Sequence, residues 1–148
     1  QVEIQRQVAS AWLAYAEDNA EEALRLMRAV AEVDDATEKH PVTPGAILPA
    51  REQLGELLIE LKQPAAALKA FETSLHAAPN RFNALYGAAR AARLAADQSK
   101  LAADRKKARR YYGLLLTLSR NADSLRPEIA EAKAFLAGVN VKDTASTN

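Results

Sequence analysis

The sequence predicts an all-α protein in which short antiparallel helix pairs stack side by side. Three observations carry this. Leucines and alanines recur at spacings of three and four through 54–61 and again through 67–75, the mark of helices with one buried stripe. Pro64 stands between these stretches, where it closes one helix and opens the next. The chain is 49% hydrophobic yet only 5% aromatic, with five glycines in 148 residues, a composition that favours helix over strand.

The same composition narrows the function. The net charge of +1 supplies no whole-molecule field for nucleic acid, so nucleic acid is not the expected partner. Cysteine is absent, which excludes disulfides and thiolate chemistry and leaves the compartment open. No stretch approaches the ~20 apolar residues of a membrane span, so a soluble domain is expected. The chain starts at Gln1, as expected of a processed or excised piece.

The first unit covers about 4–37. Ala11, Ala14, Ala23, Met27 and Val30 are its expected core, and Asp18-Asn19 its turn. Glu21 and Glu22 suit the positive end of the second helix. Trp12 and Tyr15 either face the inner side of the stack or pack on a neighbouring helix or missing domain; packing is the favoured reading. Residues 38–47 are an insertion whose two prolines and one glycine forbid a continuous helix. It reads either as a loop closing over a groove, with His40 as a contact at its tip, or as a rigid connector that tucks in Val42 and Ile47. The connector is favoured, since a lone histidine without a second ligand is weak evidence for metal.

The second unit, 48–81, is the clearest. Leu54, Leu57, Leu58 and Leu61 form one stripe, and Ala67, Leu68, Phe71 and Leu75 form the facing one. Gly55 sits within the first helix, where glycine costs roughly 1 kcal/mol, which suggests a close approach by another element. Pro79 stops the second helix.

Leu54-Gly55, Leu58, Ala67, Phe71 and Pro79 together resemble the tetratricopeptide repeat, of bacterial type. Arg51 and Ser74 depart from it, replacing an aromatic and an alanine. The first unit fits in its small residues and less well in its large ones. The resemblance implies a helix-pair solenoid (an α-α superhelix) of about three repeats and a capping helix. It also implies a protein or peptide partner held in a concave groove lined by the first helix of each pair.

The third unit spans 82–122 with Leu85, Ala88, Ala89 and Ala92 at helical spacing. Leu94–Lys100 is followed at once by a near copy, Leu101–Lys107, a seven-residue insertion. Seven residues are almost two turns, so the apolar stripe keeps its direction. The turn falls near Asp104 or near Asp97; Ala108, Tyr112 and Leu115 then favour Asp104. Lys100, Arg105, Lys106, Lys107, Arg109 and Arg110 make this stretch basic. It reads as a patch for an acidic partner or as a solvated face balancing the acidic first unit, which includes Asp34 and Asp35; the solvated face is favoured. A capping helix is expected over 123–138, with Asp123 or Ser124 as cap, Pro127 in the first turn and Gly138 as stop. Residues 139–148 are an expected flexible tail.

No catalytic motif is present, and neither His40 nor His76 has one around it. No enzyme activity, cofactor or metal is expected. The candidate groove residues are Glu52 and Glu56 from the second unit and Asn83, Tyr86, Arg90 and Arg93 from the third. This set departs from the lysine- and asparagine-rich clamp of chaperone-binding tetratricopeptide domains. Glu56 can instead pair with Arg90, and both readings stay open. The alternative function is a structural segment of a longer helical-repeat protein, or a self-associating scaffold without a ligand.

Overall fold

The computed structural model describes residues 2–37, 48–121 and 126–145. The expectations for 38–47, including His40, and for Asp123 and Ser124 lie outside them. Among the described residues seven helices follow in order: α1 Val2–Ala16, α2 Ala20–Ala36, α3 Ala50–Glu60, α4 Pro64–Ala77, α5 Phe82–Ser99, α6 Ala102–Leu118 and α7 Pro127–Ala145. No strand occurs among the described residues. Each helix packs on the next, and α1, α3 and α5 also touch in turn. The first helices of the pairs therefore form one face and the second helices the other.

Alanine dominates the contacts. Ala11, Ala23, Ala67, Ala88, Ala89 and Ala108 are fully buried, so the backbones lie close. Large residues fill what is left: Met27, Leu57, Phe71, Tyr112 and Leu115 are all buried to within 1%. Phe71 of α4 is the wedge between α3 and α5. A Cβ at Gly55 would lie 2.6 Å from its ring, and one at Gly87 would lie 2.3 Å away. The sequence points to Gly55 as a place of close approach; Gly87, on the other side of the ring, it does not single out. Alanine normally gains about 1 kcal/mol over glycine inside a helix. At Gly87 the sign reverses, because the ring is backed by Gly55 and cannot retreat. Gly87→Ala is expected to destabilise by about 1–2 kcal/mol net, an overpacking cost. Urea denaturation checks this, and a gain in stability would refute the wedge.

Three turns share one device. Asp18, Lys62 and Lys100 all adopt left-handed backbone, with φ of 60°, 59° and 60°. The amides of Asn19 and Gln63 then reach back to Ala14 O and Leu58 O at 2.9 and 2.8 Å, closing the preceding helix ends. Asn19 also caps α2, accepting from the Glu22 amide at 3.2 Å.

The third of these turns corrects the sequence reading. The chain turns at Lys100, not at Asp104 or Asp97. Gly55 precedes Lys62 by seven residues, whereas its counterpart Ala89 precedes Lys100 by eleven. Ala67 follows Lys62 by five residues, and Ala108 follows Lys100 by eight. The insertion is thus split, four residues to α5 and three to α6. The reason is pairing: a helix lengthened alone would have no partner for its extra turn. Ser99 fixes the split, donating to Asp104 Oδ2 at 2.7 Å and accepting from the Leu101 amide at 3.1 Å. Around this tip Lys100, Arg105 and Lys106 are exposed, while Lys107 pairs with Glu72 at 3.2 Å.

The junction across the insertion at 38–47 is held by two acids. Asp34, grouped above with solvated charges, is instead 2% exposed. Its Oδ2 accepts the Ala50 amide at 2.8 Å and so caps α3 from α2. Asp35 pairs with Arg51 at 2.6 Å. Arg51 is one departure from the repeat pattern, and here it ties two units together.

A last correction concerns the C-terminal helix. Expected over 123–138, it runs among the described residues from Pro127 through Gly138 to Ala145. No described glycine has positive φ, so Gly138 does not form the left-handed cap that ends helices. Without that conformation and without a following proline, glycine weakens a helix but does not stop it.

Candidate functional site

The inner sides of α3 and α5 enclose an open cleft of about 130 Å³. Four of the six groove residues expected from the sequence line it: Glu52, Glu56, Asn83 and Tyr86, with Leu48, Gln53 and Phe71. Helical periodicity explains why. Glu52 and Glu56 are four apart on α3, and Asn83 and Tyr86 three apart on α5, so each pair shares a face.

These side chains differ in how far the fold engages them. Glu52 is 3% exposed and is a structural tie as well as a wall of the cleft. Its Oε1 accepts from Ser74 Oγ at 2.9 Å and from Arg81 Nε. Ser74 is the other departure from the repeat pattern: its hydroxyl supplies a donor where alanine would have none. Glu52 Oε2 is buried without a hydrogen-bond partner. Glu56 pairs with Arg90 at 3.3 Å, the interhelical pairing left open by the sequence. Asn83 is exposed and makes no side-chain hydrogen bond among the described residues. Gln53, which sequence reasoning missed, accepts from Trp12 Nε1 at 3.0 Å. That contact joins α1 to α3 and realises the packing reading of Trp12. Tyr15 packs edge-on to Trp12, with centroids 5.9 Å apart.

Toward the C-terminus the face is occupied by α7. Glu131 enters between α5 and α6 and collects both tyrosines: Tyr86 Oη donates to its Oε2 at 2.7 Å and Tyr112 Oη to its Oε1 at 2.6 Å. Arg93 lies 3.3 Å from the same carboxylate. Arg90 sits over the Tyr86 ring at 5.5 Å, and Arg126 over Phe82 at 4.4 Å. Phe135 packs on Tyr112 with ring centres 4.8 Å apart. Arg93 is therefore brought to the capping helix and not to the cleft. Glu131 was legible only as an acid beside the apolar Ile129 and Ala132, and nothing in sequence says which tyrosines meet it.

The electrostatics follow from this. Burial by itself would raise the Glu131 carboxyl; the hydrogen bonds from Tyr112 and Tyr86 and the charges of Arg93 and Arg90 outweigh it, and the group is lowered. Burial first, then the hydrogen bond to Glu131, pushes the Tyr86 phenol up to about 12. Tyr112 is raised by the same causes in the same order. A phenol raised in the folded state contributes stability below its unfolded pKa near 10 and loses it as pH rises through the folded value. The attachment of α7 is thus expected to weaken between pH 10 and 12. Thermal unfolding across this range, with tyrosinate absorbance followed alongside, checks it. Tyr86→Phe with Tyr112→Phe should flatten the alkaline loss; an unaltered loss would assign it elsewhere.

Among the described residues no cluster of acids and histidines could hold a metal ion, and no helix is long and apolar enough to cross a membrane. The sequence matches no protein-family model and no curated protein. The fold matches solved structures. One is the type III secretion translocator chaperone SycD of Yersinia enterocolitica, in a form described as an alternative dimer. It has a TM-score of 0.71 at 14% identity, covering 97% of this chain and 96% of that one. Another is PcrH of Pseudomonas aeruginosa, with a TM-score of 0.67 at 15% identity over 95% of this chain and 93% of that one. The chain thus has a tetratricopeptide-like all-helical fold shared with these proteins.

Proposed function

We propose that this chain is a protein-interaction module that takes a segment of a partner protein on the face formed by α1, α3 and α5. The observation that carries the reading is the cleft beside Tyr86, where four side chains from two repeat units converge. Its polar groups include Asn83, whose side chain makes no hydrogen bond among the described residues. The cleft is smaller than the roughly 300–1,000 Å³ of drug-sized ligand sites, which suits one side chain of an extended segment. The likeness of fold to SycD, a chaperone by name, fits a partner that is itself a protein.

The test is selection of peptides from a random display library against the full chain, followed by mapping with backbone and side-chain amide resonances. Selected peptides should shift Gln53, Asn83 and Tyr86 and leave the outer side of α6 unmoved. Asn83→Ala with Tyr86→Ala should weaken them about tenfold or more, as loss of hot-spot contacts does. Peptides that map to the outer face, or a library that yields none, would overturn the reading. The alternative, a structural segment of a longer array, has the exposure of Val2 and Leu13 on α1 in its favour. Sedimentation separates the two: a monomer with an open cleft supports the module, and association lost with Leu13→Glu supports the segment.

A further inference from the structure

We infer that the cleft between α3 and α5 is a pocket for a basic side chain, lysine or arginine, of the bound segment. This rests on the reading that a partner segment lies on this face, and it adds the chemistry by which the segment is chosen. Three observations converge on it.

The first is the orphan oxygen of Glu52. The side chain is 4% exposed. Ser74 and Arg81 both bind its Oε1, which leaves Oε2 buried with no hydrogen-bond partner. A buried carboxylate oxygen without a donor costs free energy, and any donor brought to it recovers that cost. Oε2 itself is buried and Glu52 is one of the residues that line the cleft, so a donor on that side reaches it when the carboxylate turns toward the cleft.

The second is the make-up of the walls. Glu56 adds a second carboxylate, Asn83 an amide, and Phe71 and Tyr86 aromatic surface. An ammonium carries three donors and no acceptor, and a guanidinium five donors, so neither leaves a lone pair unsatisfied among carboxylates. Aromatic surface suits the aliphatic stem and, at a ring face, the charge. At about 130 Å³ the cleft has room for a cationic head.

The third is a precedent inside the molecule. Arg90 already places a guanidinium against two of these walls, 3.3 Å from Glu56 Oε2 and 5.5 Å from the centre of the Tyr86 ring. It comes from α5 and is not itself a lining residue, while Glu52 Oε2 is left unpaired. A ligand cation would complete the pattern that Arg90 begins.

The experiment uses the isotopically labelled full chain and three blocked pentapeptides, all alanine except for a central lysine, norleucine or glutamate. Norleucine keeps the stem and removes the charge. The lysine peptide should shift the side-chain amides of Gln53 and Asn83 and bind about tenfold or more tighter than the norleucine peptide, the value of one charged hydrogen bond. Glu52→Gln keeps an acceptor for Ser74 and Arg81 and turns a donor toward the cleft. It should fold with lowered thermal stability, because Arg81 loses its charged partner, and lose the preference for lysine. If that variant fails to fold, Glu56→Gln at the rim should reduce the preference instead. Equal binding of lysine and norleucine peptides, or a lysine preference that survives Glu52→Gln in a folded protein, would overturn the inference. The two claims fail differently. Library peptides that map to this face without a basic residue in common would sink the basic pocket and leave the interaction module standing.

Discussion

Phe71→Ala is expected to cost about 3–5 kcal/mol, the range for emptying an aromatic site in a closed core. The ring is 1% exposed and lies between Gly55 of α3 and Gly87 of α5. Both neighbours are glycines, so neither has a side chain to fill the void. The helices would have to close by moving their backbones, which three packed units resist. Such a loss is a large part of the 5–15 kcal/mol total stability of an ordinary domain. A urea series should show the midpoint fall with little change in slope, and Phe71→Leu should recover a good part of it. A loss under about 1 kcal/mol would mean that the ring is not the wedge between the two units. The companion change, Gly87→Ala, should fall in the same direction by a different route, since it adds volume where Phe71→Ala removes it.

Glu131→Ala is the second large effect, expected at about 2–3 kcal/mol. The carboxylate receives two phenol hydrogen bonds and the charge of Arg93. A hydrogen bond to a charged group is worth about 1.5–3 kcal/mol, and the partial exposure of this cluster argues for the lower part of the combined sum. Tyr112 is fully buried, so losing its acceptor leaves a polar group stranded. Glu131→Gln keeps acceptor capacity for one phenol and should cost about half as much. The change should be local first: limited proteolysis should cut within α7 while α1–α5 stay protected. Cleavage spread evenly along the chain, or a loss below about 0.5 kcal/mol, would count against the latch. The acid limb follows from the lowered Glu131 carboxyl. A carboxyl depressed in the folded state contributes stability above its unfolded pKa, and that contribution fades as pH falls through the folded value.

Much of the candidate lining came from the resemblance to the tetratricopeptide repeat. That resemblance put Glu52, Glu56, Asn83 and Tyr86 on the inner face, and these four line one cleft. What periodicity could not give was the state of each side chain. Glu52 looked like a free groove carboxylate, yet Ser74 and Arg81 hold it from α4 and from the residue that precedes α5. Arg93 looked like a groove cation, yet it faces Glu131, some 38 residues further on. Both outcomes depend on which neighbours arrive from other helices, and helical spacing describes only one helix at a time.

The sequence by itself determined the helices, their order and their buried stripes, because these follow from short-range rules: the 3.6-residue period, proline at helix starts, and alanine where backbones touch. It also marked the second unit as the clearest and Phe71 as its large core residue. Only the tertiary structure decided three further things. It divided the seven inserted residues between α5 and α6, because an antiparallel pair lengthens with both arms matched. It buried Asp34 as the cap of a helix in the next unit, because the orphan amide it satisfies lies sixteen residues away. It left one oxygen of Glu52 unpaired beside the cleft, because the donors of α4 and the following turn reach the other oxygen first. Each of these is a contact between segments distant in the chain, and distance in the chain is what local pattern cannot see.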